Sequence, residues 1–110
     1  MENKTFVPSS VISLAAAIDY SDDGIVSKRV VHKDKGNVTL FAFDKGQRLS
    51  EHTAPFDALL QVVEGRTEVT INGKSHDLKT GEIIIMSAHI PHAVYAVEKC
   101  KILLTMIKSN

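Results

Sequence analysis

At 110 residues the chain has room for one domain with its own core and not for two. Thirteen basic residues balance thirteen acidic ones, and 44% of the chain is apolar against 24% charged. Those values exclude a disordered chain and leave no basic surface of the kind that nucleic-acid binding needs. The single cysteine, Cys100, rules out an internal disulfide and fits a reducing compartment.

Taken in order, the chain begins with no stretch apolar enough for an export signal or a membrane span, since Val11–Ile18 carries three alanines and a serine. A cytoplasmic protein with no membrane contact is expected. Val11, Leu14, Ala15 and Ile18 recur at helical spacing, and Ser9 or Ser10 stands where an N-cap would accept free amides, so a short helix is predicted there. Asp19 to Gly24 is a turn-forming cluster, and strand signals follow it to the end.

The predicted strands are Ile25–His32, Val38–Asp44, Arg48–Thr53, Ala58–Glu64, Arg66–Ile71, Lys74–Leu78, Glu82–Met86, His92–Val97 and Lys101–Lys108. Their short, regular spacing points to an all-β barrel or sandwich. Asn72-Gly73 carries the two residues that best tolerate the positive φ of a type I′ turn, which predicts a hairpin of Arg66–Ile71 with Lys74–Leu78. Several strands are apolar on both faces, among them Thr39–Phe43, Ile83–Met86 and Ala93–Val97, so a second covering surface is implied. The N-terminal helix supplies part of that cover in this reading, and a homodimer supplies the rest. Gln61 points away from Ala58 by alternation, toward a neighbouring strand or a second subunit.

Two glycine-framed segments resemble the paired motifs of the cupin superfamily, small β-barrels whose interior often holds a metal. Gly46, His52 and Gly65 fall in register with the first motif, while Ala54 and Ala58 stand where its second histidine and its glutamate belong. Gly81 and His92 match the second, with Ser87, His89 and Ala96 at its proline, glycine and asparagine positions. The resemblance spans roughly residues 38–106. It implies one domain over 1–110: a cupin-type jelly-roll barrel, with helix and lead-in strands in 1–37 and the barrel motifs in 38–108.

The resemblance would place positions 52, 54, 58 and 92 round one cavity, and strand alternation explains why residues two apart project together. Two of the four are methyl groups here. A divalent metal (Zn, Mn, Fe, Ni or Cu) held by His52 and His92 would need a further donor, with His89 nearest in sequence, Met86 a soft candidate, and Asp57 or Glu51 available if a bulge changed the parity.

The reading preferred on this evidence is a pocket for a small-molecule ligand, lined by His52, His92, Ala54, Ala58, Leu60, Val62, Val94 and Ala96, in a sensor or accessory binding protein. The alternatives are a metal-dependent dioxygenase, decarboxylase or isomerase using His52 and His92, and a structural or interaction module whose barrel is filled with side chains. Whether any reaction is catalysed stays open. His32 and His76 read as structural, and Cys100, with no catalytic constellation beside it, as packing.

Overall fold

The computed structural model describes residues 6–108, and nine strands run through them. They are β1 (Ile25–Lys33), β2 (Gly36–Phe43), β3 (Arg48–His52), β4 (Phe56–Glu64), β5 (Arg66–Ile71), β6 (Lys74–Lys79), β7 (Ile83–Met86), β8 (His92–Ala96) and β9 (Cys100–Lys108). Two antiparallel sheets face each other, a large one in the order β1-β2-β9-β4-β7 and a small one in the order β3-β8-β5-β6. This is the predicted jelly-roll barrel, and most strand ends lie within two residues of the alternation pattern that forecast them. Asn72 and Gly73 join β5 to β6 with φ of 49° and 81°, as a type I′ turn requires.

The core fills the space between the sheets. Phe43, Leu60, Val62 and Ile102 from the large sheet meet Val69, Leu78, Val94 and Ala96 from the small one, all buried. Gly65, between β4 and β5, sits at φ +88°, and a Cβ there would meet the Lys99 carbonyl oxygen at 2.1 Å. Only glycine lets this corner approach the Lys99–Cys100 backbone at the start of β9 so closely.

The helix expected over Val11–Ile18 is not formed. Its backbone closes successive turns instead, with Ala16 N–H donating to Ser13 O and Ala17 N–H to Leu14 O, both at 3.2 Å. Neither serine caps: Ser9 takes a left-handed φ of 64°, and the Ser10 hydroxyl donates backward to Val7 O. A segment this short does not repay helix nucleation on its own. Tertiary contacts claim its carbonyls, because Lys101 Nζ donates to Ala15 O at 2.6 Å and Lys28 Nζ to Ala17 O at 2.9 Å.

The segment nevertheless covers the outer face of the large sheet, as a cover for apolar strands must. Ala17 and Ile18 form a second buried cluster with Leu40 and Ala42, flanked by Phe6, Ile12, Leu14, Val26 and Leu103. A bulge after Val62 in β4 turns Glu64 to this same outer face, opposite Lys101. There Glu64 accepts the Tyr20 hydroxyl and lies 3.6 Å from the Lys101 ammonium, which also stands over the Tyr20 ring at 4.9 Å. Among the described residues no helix is long and apolar enough to cross a membrane.

Burial, and then the Glu64 carboxylate, push the Tyr20 phenol above its ordinary value of 10.0. The folded chain therefore keeps a proton that the unfolded chain loses above about pH 10, so this contribution is full below that pH and is lost as pH rises. Tyr20→Phe is expected to cost about 1 kcal/mol near neutral pH and to flatten the alkaline decline. Urea denaturation across a pH series measures both.

Candidate functional site

The site is set by a bulge in β3. Leu49 pairs with Val94 and His52 with His92, so three steps along β3 match two along β8. Strict alternation from Leu49 would send residue 51 inward and residue 52 outward. The extra residue reverses this, and His52 joins His92 on the inner face. Ser50 and Glu51 are left to the outside, so Glu51 does not enter as a metal donor.

The two imidazoles meet edge to face with ring centroids 4.4 Å apart. His52 is exposed at the barrel mouth, and His92 is 8% exposed beneath it. His52 Nδ1 lies 2.7 Å from Ser50 O, and His92 Nδ1 lies 3.1 Å from Ile90 O. A carbonyl oxygen can only accept, so each Nδ1 carries the proton and donates it to backbone. Both Nε2 atoms are then left to accept a proton, a hydrogen bond or a metal ion.

Two short connections gather the rest of this end of the barrel. Residues 53–55 carry the chain from His52 to β4, and residues 87–91 carry it from Met86 to His92. Ala58 is buried near the start of β4, and register places Met86 and Met106 on either side of it. His89 N–H donates to Ala54 O at 2.8 Å and Ala88 N–H to Asp57 Oδ1 at 2.9 Å, tying the two connections together. Asp57 is thus occupied in holding a loop, not turned into the barrel.

Of the pocket lining expected from sequence, only the mouth is open. Leu60, Val62 and Ala96 are 0% exposed and Val94 is 3% exposed. These four touch essentially no space a water molecule can enter, because the inner faces of the two sheets interdigitate there. The deep part of the predicted pocket is packed core, as in many small barrels. His52 and Ala54 remain as its accessible rim, with His92 and Ala58 buried at 8% and 5% exposure. Cys100 pairs with Phe43 at the far end, where burial pushes its thiol up and keeps it protonated.

A cavity of about 500 Å³ opens elsewhere, on the outer face of the small sheet. Arg48, Glu68, Thr70 and Tyr95 wall it and Ala93 lies among them, all on the face opposite Val94. Arg48 stacks over the Tyr95 ring at 5.4 Å. The signal was present in the sequence as polar residues alternating with core ones in three paired strands, with a single alanine in their midst.

The sequence profile of the cupin domain matches residues 39–107. The chain belongs to the cupin family. Among solved structures it is similar to a conserved protein of unknown function from Streptococcus pyogenes, with 32% identity, TM-score 0.91, and coverage of 97% of this chain and 94% of that one. A cupin 2 conserved barrel domain protein from Leptotrichia buccalis shares 39% identity over 86% of this chain with TM-score 0.83, and the match spans 46% of that protein. A cupin superfamily protein from Desulfitobacterium hafniense, at 22% identity and TM-score 0.90, covers 99% of this chain and 100% of its own, and shows the fold alone. No curated protein matches.

Cupin barrels often hold a divalent metal. The donors at this mouth do not fit a tightly held one. Among the described residues no three His, Cys, Asp or Glu side chains form a group able to hold an ion, whereas catalytic zinc sites use about three protein ligands. His89 does not complete such a set. Its backbone explains its position instead: it stands at the glycine of the second cupin motif and takes the left-handed φ of 66° that this glycine would take freely.

That conformation costs a non-glycine residue about 1–2 kcal/mol, and glycine gives back roughly 0.5–1 kcal/mol through unfolded-state entropy. His89→Gly is expected to leave stability unchanged or raise it by up to about 1 kcal/mol. Thermal and urea unfolding of the variant check this.

Proposed function

We propose that this cupin is a small-molecule-binding protein whose ligand sits at the barrel mouth on His52 and His92. The observation that carries the reading is the pairing of two imidazoles 4.4 Å apart, each with Nδ1 committed to a backbone carbonyl. The two Nε2 atoms are pre-oriented by those bonds, so binding costs little side-chain ordering. In the neutral form they are a pair of acceptors on an otherwise apolar floor of Ala54 and Ala58. Such a surface suits a small ligand presenting hydroxyl or ammonium donors, held in a sensor or accessory protein.

The barrel beneath supports binding at the rim and not deep inside, because its core residues are closed to water. A metal-dependent enzyme is the competing reading. Its support is the family alone, and the alanines at 54 and 58 weigh against it. If an ion does enter, the donors on offer are two imidazoles with the thioethers of Met86 and Met106 at the same tier, a soft set.

Elemental analysis of protein purified without chelator or affinity-tag histidines is expected to find metal well below one equivalent per chain. His52→Ala, at an exposed position, is expected to change stability by no more than about 0.5 kcal/mol. The same change should weaken by tenfold or more the binding of any hydroxylated ligand found by a thermal-shift screen. One equivalent of tightly held metal, lost in His92→Ala, would give the site to the enzyme reading.

A further inference from the structure

The bulge that turns His52 into the barrel also shapes the opposite face of the small sheet. Leu49 pairs with Val94 and His52 with His92, so two residues of β3, Ser50 and Glu51, stand opposite the single Ala93 of β8. Both line the outer side. Thr70 of β5 is the register partner of Ala93 on its other flank, and in the next row Arg48, Tyr95 and Glu68 follow one another across β3, β8 and β5. Ala93 has the shortest side chain of the group, so it forms the floor of the cavity of about 500 Å³. That volume falls within the ~300–1,000 Å³ of small-molecule sites.

The charges round this cavity are opposed but not joined. Asp77 continues the row beyond Glu68 on β6, yet it is taken by Arg66, whose Nε and Nη2 donate to its two carboxylate oxygens at 2.8 Å and 3.1 Å. Among the described residues no ion pair takes in Arg48, Glu51 or Glu68. Tyr95 stands between Arg48 and Glu68 and holds the guanidinium over its ring at 5.4 Å. Stacking uses the flat face of a guanidinium and leaves its in-plane N–H donors for a planar anion. Glu68, Thr70 and Tyr95 are half-buried within the cavity, and Arg48 and Glu51 are exposed at its rim.

We propose that this cavity is a second ligand site, for a zwitterion of dipeptide size. Its carboxylate takes the fork of Arg48, and its ammonium sits over Ala93 between Glu68 and Glu51 with the Thr70 hydroxyl accepting the third hydrogen. One cation and two carboxylates make the cavity net negative, which disfavours a plain anion, while a plain cation leaves Arg48 without a partner. A ligand of both signs satisfies all three groups. Arg48 and Glu68 lie two strand spacings apart, about 10 Å between backbones, and side chains leaning over Ala93 shorten that gap. Two extended residues span about 7 Å. The site stands independently of the mouth, which lies on the other face of the same two strands.

Titration of the isotope-labelled full chain with glycylglycine near neutral pH, followed by amide chemical shifts, tests the assignment. Saturable shifts are expected at Thr70, Ala93 and Tyr95. N-acetylglycine, which lacks the ammonium, and glycylglycinamide, which lacks the carboxylate, are each expected to bind more weakly by roughly tenfold or more. Arg48→Gln should abolish the preference for glycylglycine over glycylglycinamide, and Glu68→Gln should cut the preference over N-acetylglycine severalfold. Both changes lie on the outer face and leave the barrel core untouched, so the remaining amide signals should hold their positions. Equal binding of the three probes, no saturable shift at Ala93, or preferences retained in both variants would each overturn the proposal. Shifts confined to His52 and His92 would do the same, by giving the peptide to the mouth.

Discussion

A sheet that is apolar on both faces has to be covered twice, and most of this structure follows from that constraint. In β2, Phe41 and Phe43 face the barrel while Leu40 and Ala42 face outward into the second cluster. In β9, Ile102 and Leu104 point inward and Leu103 outward. A half-solvated antiparallel sheet would alternate apolar with polar. Here the small sheet closes the inner face, and the segment before β1 is drawn across part of the outer one. The drawn segment has no regular structure, so its carbonyls need partners. Lys28 and Lys101 supply them, with Glu64 and Tyr20 holding Lys101 in place.

Two bulges, one residue each, decide where the polar groups go. In β3 the extra residue brings His52 round to His92; in β4 it brings Glu64 round to Lys101. The device is economical because strand parity has a period of two, so one inserted residue exchanges the faces of everything beyond it. Without the first bulge, Glu51 would stand beside His92 and supply a carboxylate. With it, the mouth holds two imidazoles and no acid, and the chemistry shifts from holding a hard cation toward accepting hydrogen bonds.

The mouth is also where the local backbone departs from its preferred conformation. His89 occupies a left-handed position in a loop whose adjacent amides, of Ala88 and His89, are tied to Asp57 and Ala54. Those ties connect three surfaces that are otherwise separate: the histidine pair inside the rim, the loop above it, and the apolar outer face beside Asp57. The small sheet's outer cavity, between Arg48 and Glu68, lies on the opposite face of β3 and β8 from the histidine pair and meets it through Ser50, whose carbonyl oxygen accepts from His52.

Strand positions, the Asn72-Gly73 turn and the barrel itself were legible in the amino-acid order, because alternation, turn preference and glycine spacing act over a few residues. His52 and His92 were legible as a pair through the cupin motifs, although simple alternation from Leu49 would have turned His52 outward. The helix expected at Val11–Ile18 is replaced by successive turns, and the partners of its Ala15 and Ala17 carbonyls, Lys101 and Lys28, are out of reach of any local pattern, the former lying 86 residues from Ala15. The depth of the pocket was likewise out of reach, since Leu60, Val62 and Val94 are apolar whether they line a cavity or fill one. What the sequence determined by itself is the set of strands and their apolar faces, which are properties of neighbouring residues. Which way a bulged strand presents its histidine, and whether the barrel is hollow, was decided only by the packing of one sheet against the other, because that depends on residues distant in sequence meeting in space.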